Sequence, residues 1–311
     1  MNPRKILIVG SLNVDQSVQV NDLPARGETI KGHNLQYLNG GKGANQAVAC
    51  GRLSSAPGTV AMLGCVGKDN FGQMQLQGLT ASNVDTRNIH AIDGTPTGMA
   101  IIYVSSKGSN SIVIISGAND CVTPELIHEP ESLKAIEAAD IILMQMEIPF
   151  ETNLAVMDLA AKSGSTLILN PAPAPDHGLP DEVYEKLDYI TPNETELAKL
   201  TGLPCNTIEE IGQASEVLVH KGVKNVLVTV GDRGAVLTNA EGSTHYTGIH
   251  ADAIDTTAAG DTFNGAFAVA LAEGKTPADA IAFANRAAAI SVTRRGAQDS
   301  VPCRSELNEP Q

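Results

Sequence analysis

Short apolar runs separated by longer amphipathic stretches recur along most of the chain. The runs at 6–9, 60–63, 141–144, 167–169, 189–190 and 226–230 are almost unbroken by polar residues, as expected of strands covered on both faces. Apolar positions fall at helical spacing near 43–53, 71–81, 133–138, 151–163, 208–221, 262–273 and 277–292. Strand and helix alternating in this way predict an α/β fold, a mostly parallel sheet flanked by helices on both faces. A further strand is expected at 235–238, after a glycine turn. Two regions break the alternation: 14–38, with extended pieces at 14–20 and 28–31, and 97–116, with pieces at 99–104 and 111–115 joined across Lys107-Gly108-Ser109. They read as a small β-sheet lid inserted into a single domain spanning 1–311. Such a sheet has little core of its own and leaves apolar surface for a like partner to bury.

Composition narrows the class. Of 311 residues, 42% are hydrophobic, enough for a large core. Lys+Arg 21 against Asp+Glu 35 gives 21 − 35 = −14, a surface that repels nucleic acid and anionic membrane. A polyanionic ligand must therefore rely on local N–H groups, single basic residues and metal ions. The five cysteines are scattered and lack a CxxC pair, which disfavours a disulfide framework or structural zinc and fits a reducing cytoplasm. The apolar run from Ile6 to Gly10 is shorter than a signal-peptide core or membrane span, so the N-terminus is expected to be a buried strand.

The most informative chemistry lies in Asp255-Thr-Thr-Ala-Ala-Gly-Asp261-Thr-Phe-Asn-Gly. Helical spacing begins at Phe263, which makes 258–262 an N-terminal turn. Free amides and the positive end of the helix dipole gather there. The small residues Ala258, Ala259 and Gly260 would let an anion approach, and Asp261 would accept a proton from an attacking hydroxyl. Asp261 is equally suited to serve as a plain helix cap. A second stretch, Asn39-Gly-Gly-Lys-Gly-Ala-Asn45-Gln-Ala, opens another helix with a cation and amides suited to a polyhydroxyl ligand or an anion. Gly10-Ser-Leu-Asn13-Val-Asp15, the residues after Met144, Asn170-Pro, Thr191-Pro-Asn193 and Gly231 all fall at carboxyl ends of strands, where open α/β sheets bind ligands.

These segments, with Asn170-Pro-Ala-Pro-Ala174, Thr191-Pro-Asn-Glu-Thr-Glu196, Arg295-Gly-Ala-Gln298 and Ser300-Val-Pro302, resemble the PfkB-type carbohydrate kinases over nearly the whole chain. The resemblance implies ATP-dependent phosphorylation of a sugar at a primary alcohol, ribose first, with Asp261 as general base. It implies that Asn13, Asp15, Gly41, Lys42, Gly43, Asn45 and Glu147 hold the sugar. The loop Thr229-Val-Gly231-Asp232-Arg-Gly234 and Asn285 would hold the nucleotide. Asn193 and Glu196 would organise phosphate and Mg²⁺ through water, Asn193 capping a helix as well. A K⁺ ion is implied at Asp255 and Thr257, the carbonyls of Ser291, Arg294 and Gly296, and the Ser300 hydroxyl; Asp255 has Arg294 and Arg295 as alternative partners. A homodimer through the lids is implied too. Two departures stand out: Asp232 puts negative charge in the nucleotide loop, and the chain ends soon after Leu307, where relatives usually continue in a longer helix. Other readings are a kinase of fructose, a deoxy sugar or a nucleoside, a dinucleotide oxidoreductase, and a sugar sensor without catalysis. GxGxxG is missing after the first strand and GxxxxGK[ST] is absent, which disfavours the oxidoreductase and Walker-type transfer; Asp261 disfavours the sensor.

Overall fold

A computed structural model describes residues 3–107, 109–176 and 178–308. Its main sheet holds nine strands: β1 (Ile6–Val9), β4 (Val60–Gly67), β5 (Asp85–Ile92), β8 (Ile141–Met144), β9 (Thr166–Leu169), β10 (Tyr189–Ile190), β11 (Asn225–Thr229), β12 (Gly234–Asn239) and β13 (Gly242–Thr247). Four more, β2 (Asn13–Val20), β3 (His33–Gly40), β6 (Gly98–Ser105) and β7 (Asn110–Ile115), form the lid. The main order is β13-β12-β11-β10-β9-β8-β1-β4-β5, parallel except where β12 pairs with its two neighbours. The helices are α1 (Lys42–Leu53), α2 (Asn70–Ala81), α3 (Pro124–Ile127), α4 (Pro130–Glu137), α5 (Phe150–Ser163), α6 (Asp181–Tyr184), α7 (Glu194–Thr201), α8 (Ile208–His220), α9 (Ala259–Ala272) and α10 (Pro277–Ser291).

The unbroken apolar runs serve two cores at once. Successive side chains of a strand point to opposite faces. Thus Leu7, Val9, Ile142 and Met144 join Val156, Met157 and Ile211 on one side. Ile6, Ile8, Ile141 and Leu143 join Ala47, Phe267 and Ile281 on the other. On that second side α9 is buried at every position from Asp261 to Ala270, because α1 and α10 pack against it. A helix apolar on all sides is stable only in such a setting. Gly265 sets the α1–α9 spacing, since a Cβ there would lie 2.5 Å from that of Ala49 and 2.8 Å from the Gln46 carbonyl.

Some expectations need correction. No strand forms at 28–31; the second lid strand is β3, antiparallel to β2. β5 closes one edge of the main sheet although its sequence, Asp-Thr-Arg-Asn-Ile-His-Ala-Ile, is mostly polar. A central strand announces itself by continuous apolarity; an edge strand need not. Gly108 of the expected lid turn lies outside the described residues. The segment around Leu307 is anchored: Leu307 is buried, its carbonyl accepts from Arg286, and Arg304 pairs with Glu273. No helix among the described residues is long and apolar enough to cross a membrane.

The lid grows out of the sheet at the carboxyl end of β1. Its first strand leaves at Asn13 and its second returns at Gly40, directly into α1. This connection alone brings Asn13, Asp15, Gly41 and Lys42 to one corner.

Candidate active site

α9 is preceded by its N-cap residue Ala258, whose φ of 58° is left-handed. That conformation is disfavoured for a residue with a Cβ. No side chain caps the helix. The Ala259 N–H bonds to the Thr256 carbonyl, but among the described residues the N–H groups of Gly260 and Asp261 have no partner. A Cβ on Gly260 would meet nothing within 4 Å, so the approach to these amides is open. They face a cleft shared with Lys42, Asn193, Glu196 and Thr229.

Asp261 is only 6% exposed. Its Oδ2 accepts from Asn45 Nδ2 at 3.0 Å and its Oδ1 from Gln46 Nε2 at 2.9 Å. These donors come from the first turn and a half of α1, so Asp261 is more than a helix cap: its carboxylate binds across the helix pair. Lys42 lies in the same group. Asp261, with Glu147 and Glu196, raises the Lys42 pKa against the opposing effect of burial, which keeps the ammonium charged. Glu196 is shifted upward by burial.

The amides of the glycine-rich turn are used differently from those of α9. Glu147 Oε2 accepts from the Lys42 N–H at 3.0 Å and from Ser11 Oγ at 2.6 Å. Ser11 in turn accepts from the N–H groups of Gly43 and Ala44. The glycines provide close approach: a Cβ on Gly43 would lie 2.5 Å from the Ser11 nitrogen, and Gly41 needs φ 87°. Asn13 Oδ1 accepts from Asn119 Nδ2 at 2.7 Å, and its carbonyl accepts from Gln75, which leaves the Asn13 amide N–H groups for a ligand. Asp15 lies against Gly40, whose Cβ would come within 2.5 Å of its carboxylate. Burial, then the charges of Glu147 and Asp261, push its pKa up to about 6. The Asp15 carboxylate accepts no hydrogen bond among the described residues. A half-buried acceptor of this kind is suited to hydroxyl donors from a ligand.

Asn193 and Glu196 form a capping box on α7, at 2.8 and 2.9 Å, and Glu196 still borders the cleft. Beyond it, Gly231 and Gly234 adopt φ 60° and 97° around Asp232. Arg233 is drawn to Glu194, while Asp232 stays exposed. Asn285 of α10 donates its Nδ2 to the Thr247 carbonyl at 3.4 Å.

Asp255 ties two loops together. Its Oδ1 accepts from the Thr257 N–H and hydroxyl at 3.0 and 2.6 Å, and its Oδ2 from the Gly296 N–H at 3.0 Å. Arg294 pairs instead with Glu306, so it is not the partner of Asp255. Arg295 contributes only charge, a lesser cause of the lowered Asp255 pKa, on which burial is the largest influence and acts the other way. Ser300 is buried and donates to the Ala297 carbonyl, keeping its own oxygen as an acceptor.

Sequence reading missed Ser11, Gln46, Asn119, Gln145 and Asn170 as parts of the site. Ser11, Gln46 and Asn170 stand inside the quoted motifs, but no local signal marks Asn119 or Gln145.

Open amides at a helix start, a buried carboxylate beside them, and unsatisfied acceptors and amides next to both define a phosphotransferase acting on a hydroxyl. The sequence profile of the pfkB family carbohydrate kinases matches residues 3–304, and the chain belongs to that family. It is 40% identical over 306 residues to the ribokinase of Haemophilus influenzae, covering 98% of each chain. It is 36% identical over 304 residues to the deoxyribokinase of Salmonella typhi, covering 98% of this chain and 97% of that one. Among solved structures, Arabidopsis thaliana ribokinase complexed with ribose and ATP superposes with a TM-score of 0.92 at 38% identity, covering 99% of this chain and 98% of the other.

Proposed function

We propose that the enzyme transfers the γ-phosphoryl group of ATP to O5 of D-ribose, giving ribose 5-phosphate and ADP. The observation that carries this reading is the meeting of Asp261, Lys42 and the open Gly260 and Asp261 amides in one cleft. Asp261 accepts the O5 proton, the freed oxygen pair forms the new O–P bond, and the bond to the ADP oxygen breaks. The α9 amides and Lys42 hold the charge of the group in flight. Asn13, Asp15 and Asn45 fix the sugar by its hydroxyls, with Glu147 holding the Gly41–Gly43 turn in shape. The likeness to both ribokinases and a deoxyribokinase supports a pentose and makes 2-deoxyribose the nearest alternative.

The nucleotide lies along Thr229, Gly231, Asp232 and Gly234 toward Asn285 in this reading. Glu196 and Asn193 present oxygens suited to a hydrated Mg²⁺, which supplies neutralising charge to the phosphates when bound. The donor set of Asp255, Thr257, Ser300 and the carbonyls of Ser291, Arg294 and Gly296 is all oxygen, as K⁺ requires. Its chemistry is positional, since both loops flank the α9 amides. Leu35, Tyr37, Ile112, Val113, Ile114 and Ile115, each 41–59% exposed on the lid, support a homodimer joined there. Cys50, Cys65 and Cys205, buried as thiols, support a cytoplasmic location.

ADP release with ribose, 2-deoxyribose, fructose and a nucleoside as acceptors tests the proposal. Ribose should give the highest kcat/KM; a higher value for any other acceptor, or no ADP release with ribose, overturns it.

A further inference from the structure

Gln46 is fully buried, yet it lies outside every role assigned so far. Its Nε2 donates to Asp261 Oδ1 at 2.9 Å and to Asn170 Oδ1 at 3.1 Å. Its Oε1 accepts from Gln145 Nε2 at 2.6 Å. Asn170 passes its own Nδ2 to the Thr191 carbonyl at 2.8 Å, and the Gln145 carbonyl accepts from Asn153 of α5 at 2.8 Å. We infer that Gln46 is a positioning residue for the general base, its amide locked by Gln145 so that a donor always faces Asp261. The inference rests on the assignment of Asp261 as base.

The orientations follow from one fact, that an ionised carboxylate only accepts. Gln46 must therefore turn Nε2 toward Asp261. That leaves Oε1 toward Gln145, which must answer with Nε2, and the second Gln46 N–H requires an oxygen from Asn170. Reversing the Gln46 amide would set two acceptors against each other at Asp261 and two donors at Gln145. The lock has a steric condition as well: a Cβ on Gly10 would lie 2.0 Å from Gln145 Oε1. The first glycine of Gly10-Ser-Leu-Asn13 thus clears the space that Gln145 fills. Gln145 Oε1 itself has no hydrogen-bond partner among the described residues, so the hold of Gln145 on Gln46 runs through Nε2. With Oδ1 held by Gln46 and Oδ2 by Asn45, rotation of the carboxylate about its last bond is restrained at both oxygens, and Gln46 supplies the half of that restraint that no sugar-binding residue shares.

Removing this hold should lower kcat and leave substrate affinity alone. Gln46→Met keeps the volume and removes the donors; its kcat should fall about 10–100-fold, a part of what a general base supplies. Its ribose dissociation constant, measured by calorimetry without nucleotide, should stay within about threefold of the parent's. Gln145→Met leaves the shell of Asp261 intact and frees only the Gln46 amide; it should lower kcat about 3–10-fold at unchanged affinity, and it keeps the test available if the first variant does not fold. A kcat within twofold of the parent in the folded variants, or a loss matched by an equal loss of ribose affinity, overturns the positioning role. Asp261→Asn, assayed alongside, separates the two ideas: if it too retains activity, the base assignment has failed, not the lock alone.

Discussion

α1 and α9 start alike and do different work. Each follows small residues, each has an N-cap residue with positive φ, Gly41 at 87° and Ala258 at 58°, and neither N-cap residue supplies a side-chain capping bond. In sequence both look like anion sites. In the fold, the first amides of α1 are taken by Glu147 and Ser11, whereas those of Gly260 and Asp261 have no partner among the described residues. A helix start becomes a ligand site only where the rest of the protein leaves its amides alone. α1 contributes side chains, Lys42, Asn45 and Gln46; α9 contributes backbone and the one carboxylate that joins the two.

This division can be broken by substitution. Asp261→Asn should lower kcat by about 10²–10⁴-fold with ribose binding largely intact, as expected for loss of a general base; turnover within tenfold of the parent would refute the assignment. Next in size is a contrast between two glycines. Gly260→Val projects into open space above the α9 amides, so kcat should drop about 10–100-fold by obstructing the anion, with the melting temperature nearly unchanged. Gly43→Ala drives a methyl onto the Ser11 backbone and should instead destabilise the fold by about 1–3 kcal/mol. Thermal melts beside initial rates check both, and the opposite pattern would mean the two turns have been assigned the wrong way round.

The smallest effect concerns Asp15. With its pKa raised to about 6, its charge is fully present only above that pH. The KM for ribose should therefore rise roughly tenfold between pH 7 and pH 5, as the carboxylate that accepts sugar hydroxyls becomes protonated. The stability effect has the opposite sense. The folded protein holds this proton more tightly than the unfolded chain does, so the favourable contribution is complete below the model-peptide value of 3.8 and is lost as pH rises through about 6. Asp15→Asn should accordingly be more stable than the parent at pH 7 by up to about 3 kcal/mol, with the gain vanishing near pH 4. Chemical denaturation at the two pH values measures it; an equal difference at both would show that the charge is not the cause.

Much of the fold was legible because its strands are covered on both faces and write themselves as continuous apolar runs. β5 was missed because an edge strand buries less, and β3 was misplaced by a few residues because exposed lid strands carry no fixed pattern: Leu35 is 53% exposed, and Tyr37 is 44% exposed even with its ring against Phe71. Candidate site residues could be proposed for a related reason, since ligand geometry restricts residue type within short segments. Of the residues proposed from motifs, Lys42, Asn193, Glu196 and Asp261 border one cleft, and Asn45 bonds to Asp261.

What the sequence determined by itself is the alternation that makes the sheet, the small residues at two helix starts and the presence of an acid at one of them. Which helix start would keep its amides free, and which amide side chains would hold the acid, depended on residues 99 to 215 positions apart. Ser11 meets Glu147, Gln46 meets Asp261, and Gln145 reaches back to Gln46. Hydrogen bonds of that separation leave no periodicity to read; they exist only once the parallel sheet has brought the ends of its strands to one edge.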